Sequence, residues 1–226
     1  MALTEIKEED VYKELNNVNK PLEEIKSYVI KCVILGDSCV GKTSIINYYL
    51  TNKMKNTDTT LGAIFWLLER QMDNGDFIKL NVWDTAGQER YNSLIPMYTR
   101  SSDIIILTFS LTDRVSFENL LKWKNTTKYC SDVENLKFII IGNKSDLENY
   151  ICITDKDIKN MIRKHFPKET EYFKTSALSG DNINLAFNGL FSISEKIVNE
   201  NKKKKYSYMT INQKKSLNDK KFTCCN

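Results

Sequence analysis

Short apolar, β-branched runs recur along the chain at 29–35, 64–68, 77–83, 104–109 and 138–142, with a weaker one at 172–175. Each has the length and residue types of a buried strand. Helical patterns occupy 42–52, 114–129, 155–165 and 182–200, where Tyr48, Tyr49, Phe187 and Phe191 recur at core-facing spacings. Between the second and third apolar runs stands Asp73-Asn74-Gly75-Asp76. Asn-Gly between two strands is a strong local hairpin signal, because both turn positions tolerate positive φ. Apart from that hairpin, strands alternate with helices. The pattern predicts an α/β domain with an open, mostly parallel sheet and helices on both faces. In such sheets ligands gather at the carboxyl ends of the strands.

Charge changes the picture at the two ends. Residues 1–28 hold seven acids and four lysines, whereas residues 199–226 hold eight lysines and two acids. The stretch between is nearly neutral. Three parts are expected: an acidic N-terminal extension over 1–28, interrupted at Pro21; a folded domain over 29–198; and a lysine-rich, disordered tail over 199–226. The folded part lacks a basic face, which argues against nucleic acid as a partner. No run of eighteen apolar residues suggests a membrane span, and the acidic start, Met-Ala, reads neither as a secretory leader nor as a myristoylation signal. Six cysteines without metal-ligand or disulfide spacing fit a reducing, cytosolic setting. His165, the one histidine, is expected at the surface without a catalytic role.

Candidate chemistry begins where the first strand ends, at Gly36-Asp37-Ser38-Cys39-Val40-Gly41-Lys42-Thr43. This is GxxxxGK[ST] between a strand and a helix. Its backbone N–H groups form an anion-binding nest, Lys42 reaches β- and γ-phosphates, and the Thr43 hydroxyl ligates Mg2+. A second motif, Asn143-Lys144-Ser145-Asp146, ends a buried strand. The Asp146 carboxylate can accept from N1–H and the exocyclic amine of guanine, and it would face the acceptor N1 of adenine unpaired. Lys144 can lie along base and ribose, the Asn143 amide can tie the two loops, and Ser176-Ala177 can supply a backbone donor to the base. In the third motif, Asp84-Thr85-Ala86-Gly87-Gln88, Asp84 can hold Mg2+ through water. Gly87 can present its N–H to a γ-phosphate, and Gln88 can orient an attacking water.

Together GDSCVGKT, WDTAGQE, NKSD and TSAL resemble the small Ras-like GTPases. Trp83 and Tyr91 point to the Rab branch, and 60–65 and 90–98 are similar to its early-endosome subgroup. The resemblance covers roughly 28–198. It implies a P-loop NTPase G domain with a six-stranded sheet and one antiparallel edge strand, a Mg·GTP site, and slow hydrolysis of GTP to GDP. It also implies that Thr60 ligates the metal in the triphosphate state, and that Phe65, Trp83 and Tyr98 form a trio read by effectors. Three positions depart from the family. The aromatic that covers guanine is replaced by Lys53 or Met54, which predicts looser nucleotide retention; Ser110 stands for an aspartate and Leu178 for a lysine.

No arginine is placed to complete the site from within, so a GTPase-activating partner is expected, beside an exchange factor, a GDI or escort protein, and effectors. Cys224 and Cys225 resemble the double prenylation sites of Rabs. With the lysine runs, they predict attachment to the cytoplasmic face of an intracellular, endosomal membrane, in exchange with cytosol. The chain is expected to act as a monomer in vesicle traffic. Two alternatives remain at this stage: a nucleotide-locked recruitment module with little hydrolysis, and a P-loop kinase, which NKSD disfavours.

Overall fold

The structure is a computed structural model that describes residues 25–54, 59–87, 93–129 and 135–219, without the side chains of Tyr129 and of residues beyond 201. The strands are β1 (Ser27–Leu35), β2 (Ala63–Gln71), β3 (Phe77–Thr85), β4 (Ile104–Ser110), β5 (Lys137–Asn143) and β6 (Glu171–Lys174). They make one sheet in the order β2-β3-β1-β4-β5-β6. β2 runs antiparallel to β3 at the edge, and every other pairing is parallel. The hairpin forms where Asn-Gly places it. Gly75 takes φ 87, the Met72 N–H donates to the Asp76 carbonyl at 2.8 Å, and the Asn74 side chain accepts from the Asp76 N–H at 3.2 Å.

The helices are α1 (Lys42–Thr51), α2 (Ile95–Thr99), α3 (Arg114–Glu118), α4 (Leu120–Thr126), α5 (Asp155–His165) and α6 (Ile183–Asp219). α1 and α6 cover one face through Ile45, Ile46, Phe187 and Phe191, with Tyr49 stacked on Phe187 at 3.8 Å. On the other face Phe117, Leu120, Trp123 and Ile158 seal Val33, Leu107, Phe109 and Ile140. β4 and β5, wrapped on both sides, are almost wholly buried, as central parallel strands must be.

Three boundaries differ from expectation. The helix expected over 114–129 is divided at Asn119, which sits at φ −67, ψ −9 and ends in a 3-10 turn over Thr127–Tyr129. Asp113 opens it by accepting from the N–H groups of Val115 and Ser116. α2 carries no long apolar period; Pro96 in its first turn is the local signal. α6 continues to Asp219, beyond the 198/199 boundary of the expected domain and into the stretch expected to be disordered. Neither glycine nor proline follows Gly189, so nothing in the backbone chemistry ends that helix. Thr154 and Asp157 form a reciprocal capping box at α5.

Candidate nucleotide site

β1 delivers the chain to the carboxyl edge of the sheet, and the loop 36–41 turns it back into α1. Cys39 at φ 60 and Gly41 at φ 99 both take left-handed backbone there. For Cys39, a residue with a Cβ, that costs about 1–2 kcal/mol, and it curls the loop N–H groups inward. A Cβ at Gly41 would strike the Asn143 amide, and one at Gly87 would strike the Asp37 backbone and the Lys42 ammonium. Both glycines are therefore dictated by the meeting of three loops.

Lys42 lies 6% exposed, and its Nζ donates to the carbonyls of Gly36 and Asp37 at 2.7 Å each. Burial pulls its pKa down to about 8, against the opposing charges of Asp84 and Asp37. Asp84, fully buried at the end of β3, is pushed up to about 6 by burial, although Thr43 and Lys42 pull the other way. Thr43 Oγ1 donates to Asp84 Oδ2 at 2.6 Å and lies 2.9 Å from Thr60 Oγ1. The trio assigned to Mg2+ from sequence is thus gathered from α1, β3 and the segment before β2.

Asp84 Oδ1 is buried without a hydrogen-bond partner. A carboxylate oxygen kept dry and unpaired is costly, and an oxygen-only set of one carboxylate and two hydroxyls suits a hard divalent cation. The donor set fits the group the sequence implied.

At the other end of the cleft, Asn143 joins three segments. Its Nδ2 donates to the Val40 carbonyl at 2.9 Å, and its Oδ1 accepts from the Ala177 N–H at 3.0 Å and the Thr175 hydroxyl at 3.3 Å. Lys144 takes left-handed φ 68 just after it. Ser176 Oγ donates to Asp146 Oδ1 at 2.5 Å while accepting from the N–H groups of Leu178 and Ser179. The N–H of Ser176 goes to the Asp181 carbonyl. Ser176 and Ala177, expected from sequence to offer a backbone donor to the base, spend both N–H groups inside the protein. Their observed part is to fix Asp146 and Asn143.

Between these ends lies a cavity of about 450 Å3 lined by Ser38, Gly41, Thr60, Gly87, Lys144 and Asp146, among others. That is the volume of a small-molecule site. Met54 and Leu178 also line it, whereas Lys53 does not, so Met54 is the residue that stands in for the missing aromatic. Ser110 is buried with its hydroxyl 2.8 Å from that of Thr112, and its N–H donates to Ser116; it packs the turn and does not reach the cavity. Val40 is buried and contributes only its backbone. Gln88, Cys224 and Cys225 lie outside the described residues.

Asp37, whose expected contribution is its backbone N–H, commits its side chain elsewhere. Its carboxylate turns away from the cavity and accepts from Asn119 Nδ2 and Trp123 Nε1, both at 2.6 Å. A carboxylate aimed at phosphate would repel it, and here the charge is drawn off to α4. These anchors were missed in the sequence, because α4 is more than eighty residues distant and a lone Asn and Trp on a helix read as surface and core. Trp123→Phe is expected to lower stability by about 1–3 kcal/mol, the cost of leaving a charged acceptor short of a partner. Urea denaturation measures it; an unchanged midpoint would show that Asn119 holds the loop alone.

Beside the cleft, Phe65 packs edge-on against Trp83 with centroids 5.3 Å apart, and Tyr98 lies 5.7 Å beyond Trp83. The three rings expected to act together do meet. Phe65 is half-exposed, and Leu61 and Met97 nearby are more so.

Comparison with known proteins agrees with this geometry. Residues 31–197 match the model of the Ras family. The chain is 40% identical over 167 residues to human Ras-related protein Rab-9B, covering 72% of this chain and 81% of the relative. It is 39% identical over the same length, with the same coverage, to rat Rab-9A. Against Rab-11B of Dictyostelium discoideum the identity is 35% over 166 residues, covering 73% of each. With the 36–43 loop, the 143–146 loop and Asp84 meeting around one cleft, and with this match over most of its length, the chain belongs to the Ras family of GTPases, on its Rab-related branch.

Proposed function

We propose that this GTPase of vesicle traffic works as a switch whose GTP state is held by Lys42, Thr43, Thr60, Asp84 and Gly87, and whose return to GDP depends on Gln88. The observation that carries this reading is the Thr43–Asp84–Thr60 cluster, because Thr60 belongs to a surface segment and the other two to the rigid domain. Thr43, Thr60 and Asp84 would hold Mg2+, which when bound supplies positive charge beside the β- and γ-phosphates. The loop N–H groups of 38–43 and Lys42 bind the phosphates, and Asp146 and Lys144 bind the guanine. Gly87 leaves room for a γ-phosphate to meet its N–H. Loss of that phosphate releases Thr60 and Gly87 together, and the segments following them relax.

Hydrolysis is slow, as positioning without a charge-neutralising arginine predicts, and a GTPase-activating protein is the partner expected to speed it. The partly exposed Phe65–Trp83–Tyr98 surface is the place for an effector in the GTP state. A GDI or escort protein and an exchange factor complete the cycle. No described helix is long and apolar enough to cross a membrane. The proposed attachment is instead through prenylated Cys224 and Cys225, aided by the tail lysines, to the cytoplasmic face of an endosomal membrane.

Single-turnover hydrolysis of bound GTP tests the switch. Gln88→Leu is expected to slow it by about 10²-fold or more, the loss of one catalytic group that positions water, with GTP affinity unchanged. Equal rates in both proteins would favour the nucleotide-locked module. In cells, replacement of Cys224 and Cys225 by serine is expected to move the protein to the soluble fraction; retention on membranes would refute the anchor.

A further inference from the structure

The phosphate loop carries a negative charge of its own, Asp37, and two side chains from a distant part of the chain hold it. Asn119, between α3 and α4, donates Nδ2 to Asp37 Oδ2, and Trp123 of α4 donates Nε1 to Oδ1, both at 2.6 Å. Each carboxylate oxygen thus has its own donor. The indole N–H can only donate, and Trp123 is buried in the core beneath α4, so the carboxylate is fixed in one orientation.

The main chain of Asp37 is committed elsewhere. Its carbonyl accepts from Lys42 Nζ at 2.7 Å, as does that of Gly36. On its other side Gly87 packs so closely that it has no room for a Cβ. With the backbone held between Lys42 and Gly87, the soft coordinate left at Asp37 is χ1. One rotamer step would swing the carboxylate off α4 toward the ammonium bound to its own carbonyl. The charge of Asp37 already acts on that ammonium. Lys42 has three donors, and the carbonyls leave one of them for phosphate. An Asp37–Lys42 ion pair is the rival use of that donor, because opposite charges in a partly desolvated loop attract strongly.

We infer that Asn119 and Trp123 are positioning residues for nucleotide capture: by holding the Asp37 carboxylate on α4, they keep it from closing on Lys42, and the loop meets a phosphate with its cation free. A self-closed, non-binding state of the loop, which these two donors suppress, is thereby added to the guanine-nucleotide reading of the cleft on which it rests. The consequence falls on association. A protein held mostly in the closed state binds only through its open fraction, and its apparent affinity drops by that fraction. Dissociation is nearly unaltered, since in the complex phosphate has displaced Asp37 from Lys42. Damage to the shape of the loop would act the other way, through faster release.

The test measures association and dissociation of N-methylanthraniloyl-GDP with the full chain stripped of nucleotide. Asn119 sits at φ −67, ψ −9, a backbone that alanine adopts freely, and phenylalanine at 123 keeps a buried ring while losing the N–H. Asn119→Ala with Trp123→Phe is expected to associate about tenfold more slowly, the contribution of one charge-assisted hydrogen bond at Lys42, with dissociation changed by less than about twofold. Adding Asp37→Ala is expected to restore association to within about twofold of the wild type, because no carboxylate is left to close the loop. Should the double variant not fold, Asn119→Ala alone decides, with a loss of about threefold in the same direction. Unchanged association would overturn the proposal. So would a loss that Asp37→Ala fails to repair, or one carried by faster dissociation, either of which would make the two donors struts of the loop. Wild-type protein that takes up no labelled GDP would instead overturn the guanine-nucleotide reading itself.

Discussion

Lys42→Asn is expected to weaken GDP and GTP binding by about one to two orders of magnitude while leaving the fold intact. Lysine has three donors, and two are used on the carbonyls of Gly36 and Asp37, which fixes the ammonium at the centre of the loop. The phosphates are met by an immobilised charge in a site of low dielectric. One donor remains for phosphate; a charge-assisted hydrogen bond contributes about 1.5–3 kcal/mol, and each 1.4 kcal/mol is roughly tenfold. The fold does not need the charge. Burial already disfavours the ammonium, drawing its pKa down to about 8. Titration with fluorescent GDP and a thermal melt without nucleotide separate the two effects. A melt that collapses together with affinity would make Lys42 a structural strut, and an undiminished affinity would remove it from the site.

The outcome depends on how local a signal is. Strand positions were legible because period and residue type reflect burial at each place, and the Asn-Gly hairpin because its turn chemistry is confined to four residues. The phosphate loop was legible for the same reason: Gly41, Lys42 and Thr43 are adjacent in sequence and in space. Long-range partners were not. Asp37 reads as one more loop residue until Asn119 and Trp123 arrive from α4. The choice between Lys53 and Met54 turned on a loop shortened by one residue, which only the cavity lining decides. Backbone N–H groups at Ser176 and Ala177 carry no side-chain signature, so their commitment to Asp181 and Asn143 could not be read. The continuation of α6 past residue 198 was masked by lysine, which favours helix and solvent alike.

Asp146→Asn is expected to transfer the preference of the site from guanine to xanthine nucleotides. Asp146 is held at a defined angle because Ser176 Oγ donates to one of its oxygens and is itself fixed by the N–H groups of Leu178 and Ser179. An asparagine there keeps a carbonyl oxygen for the Ser176 hydroxyl and turns an NH2 toward the cleft. Guanine presents its own amine at C2, so two donors would meet, and each loses its water without gaining a partner. Such unpaired buried groups discriminate by about 10⁴–10⁵ in sites built around a hydrogen bond; a partly open cleft lowers that to roughly 10²–10³. Xanthine carries a carbonyl at C2 in place of the amine, and it accepts from the new NH2. The rest of the cleft is indifferent to the change, because Lys42, Thr43 and the loop N–H groups, proposed to hold phosphate and metal, do not reach Asp146. Competition of GDP and XDP for the wild type and the variant reads the exchange directly. Loss of both nucleotides together would show that Asp146 shapes the 143–147 loop and does not read the base edge. An unaltered preference for GDP would place base recognition elsewhere in the cleft.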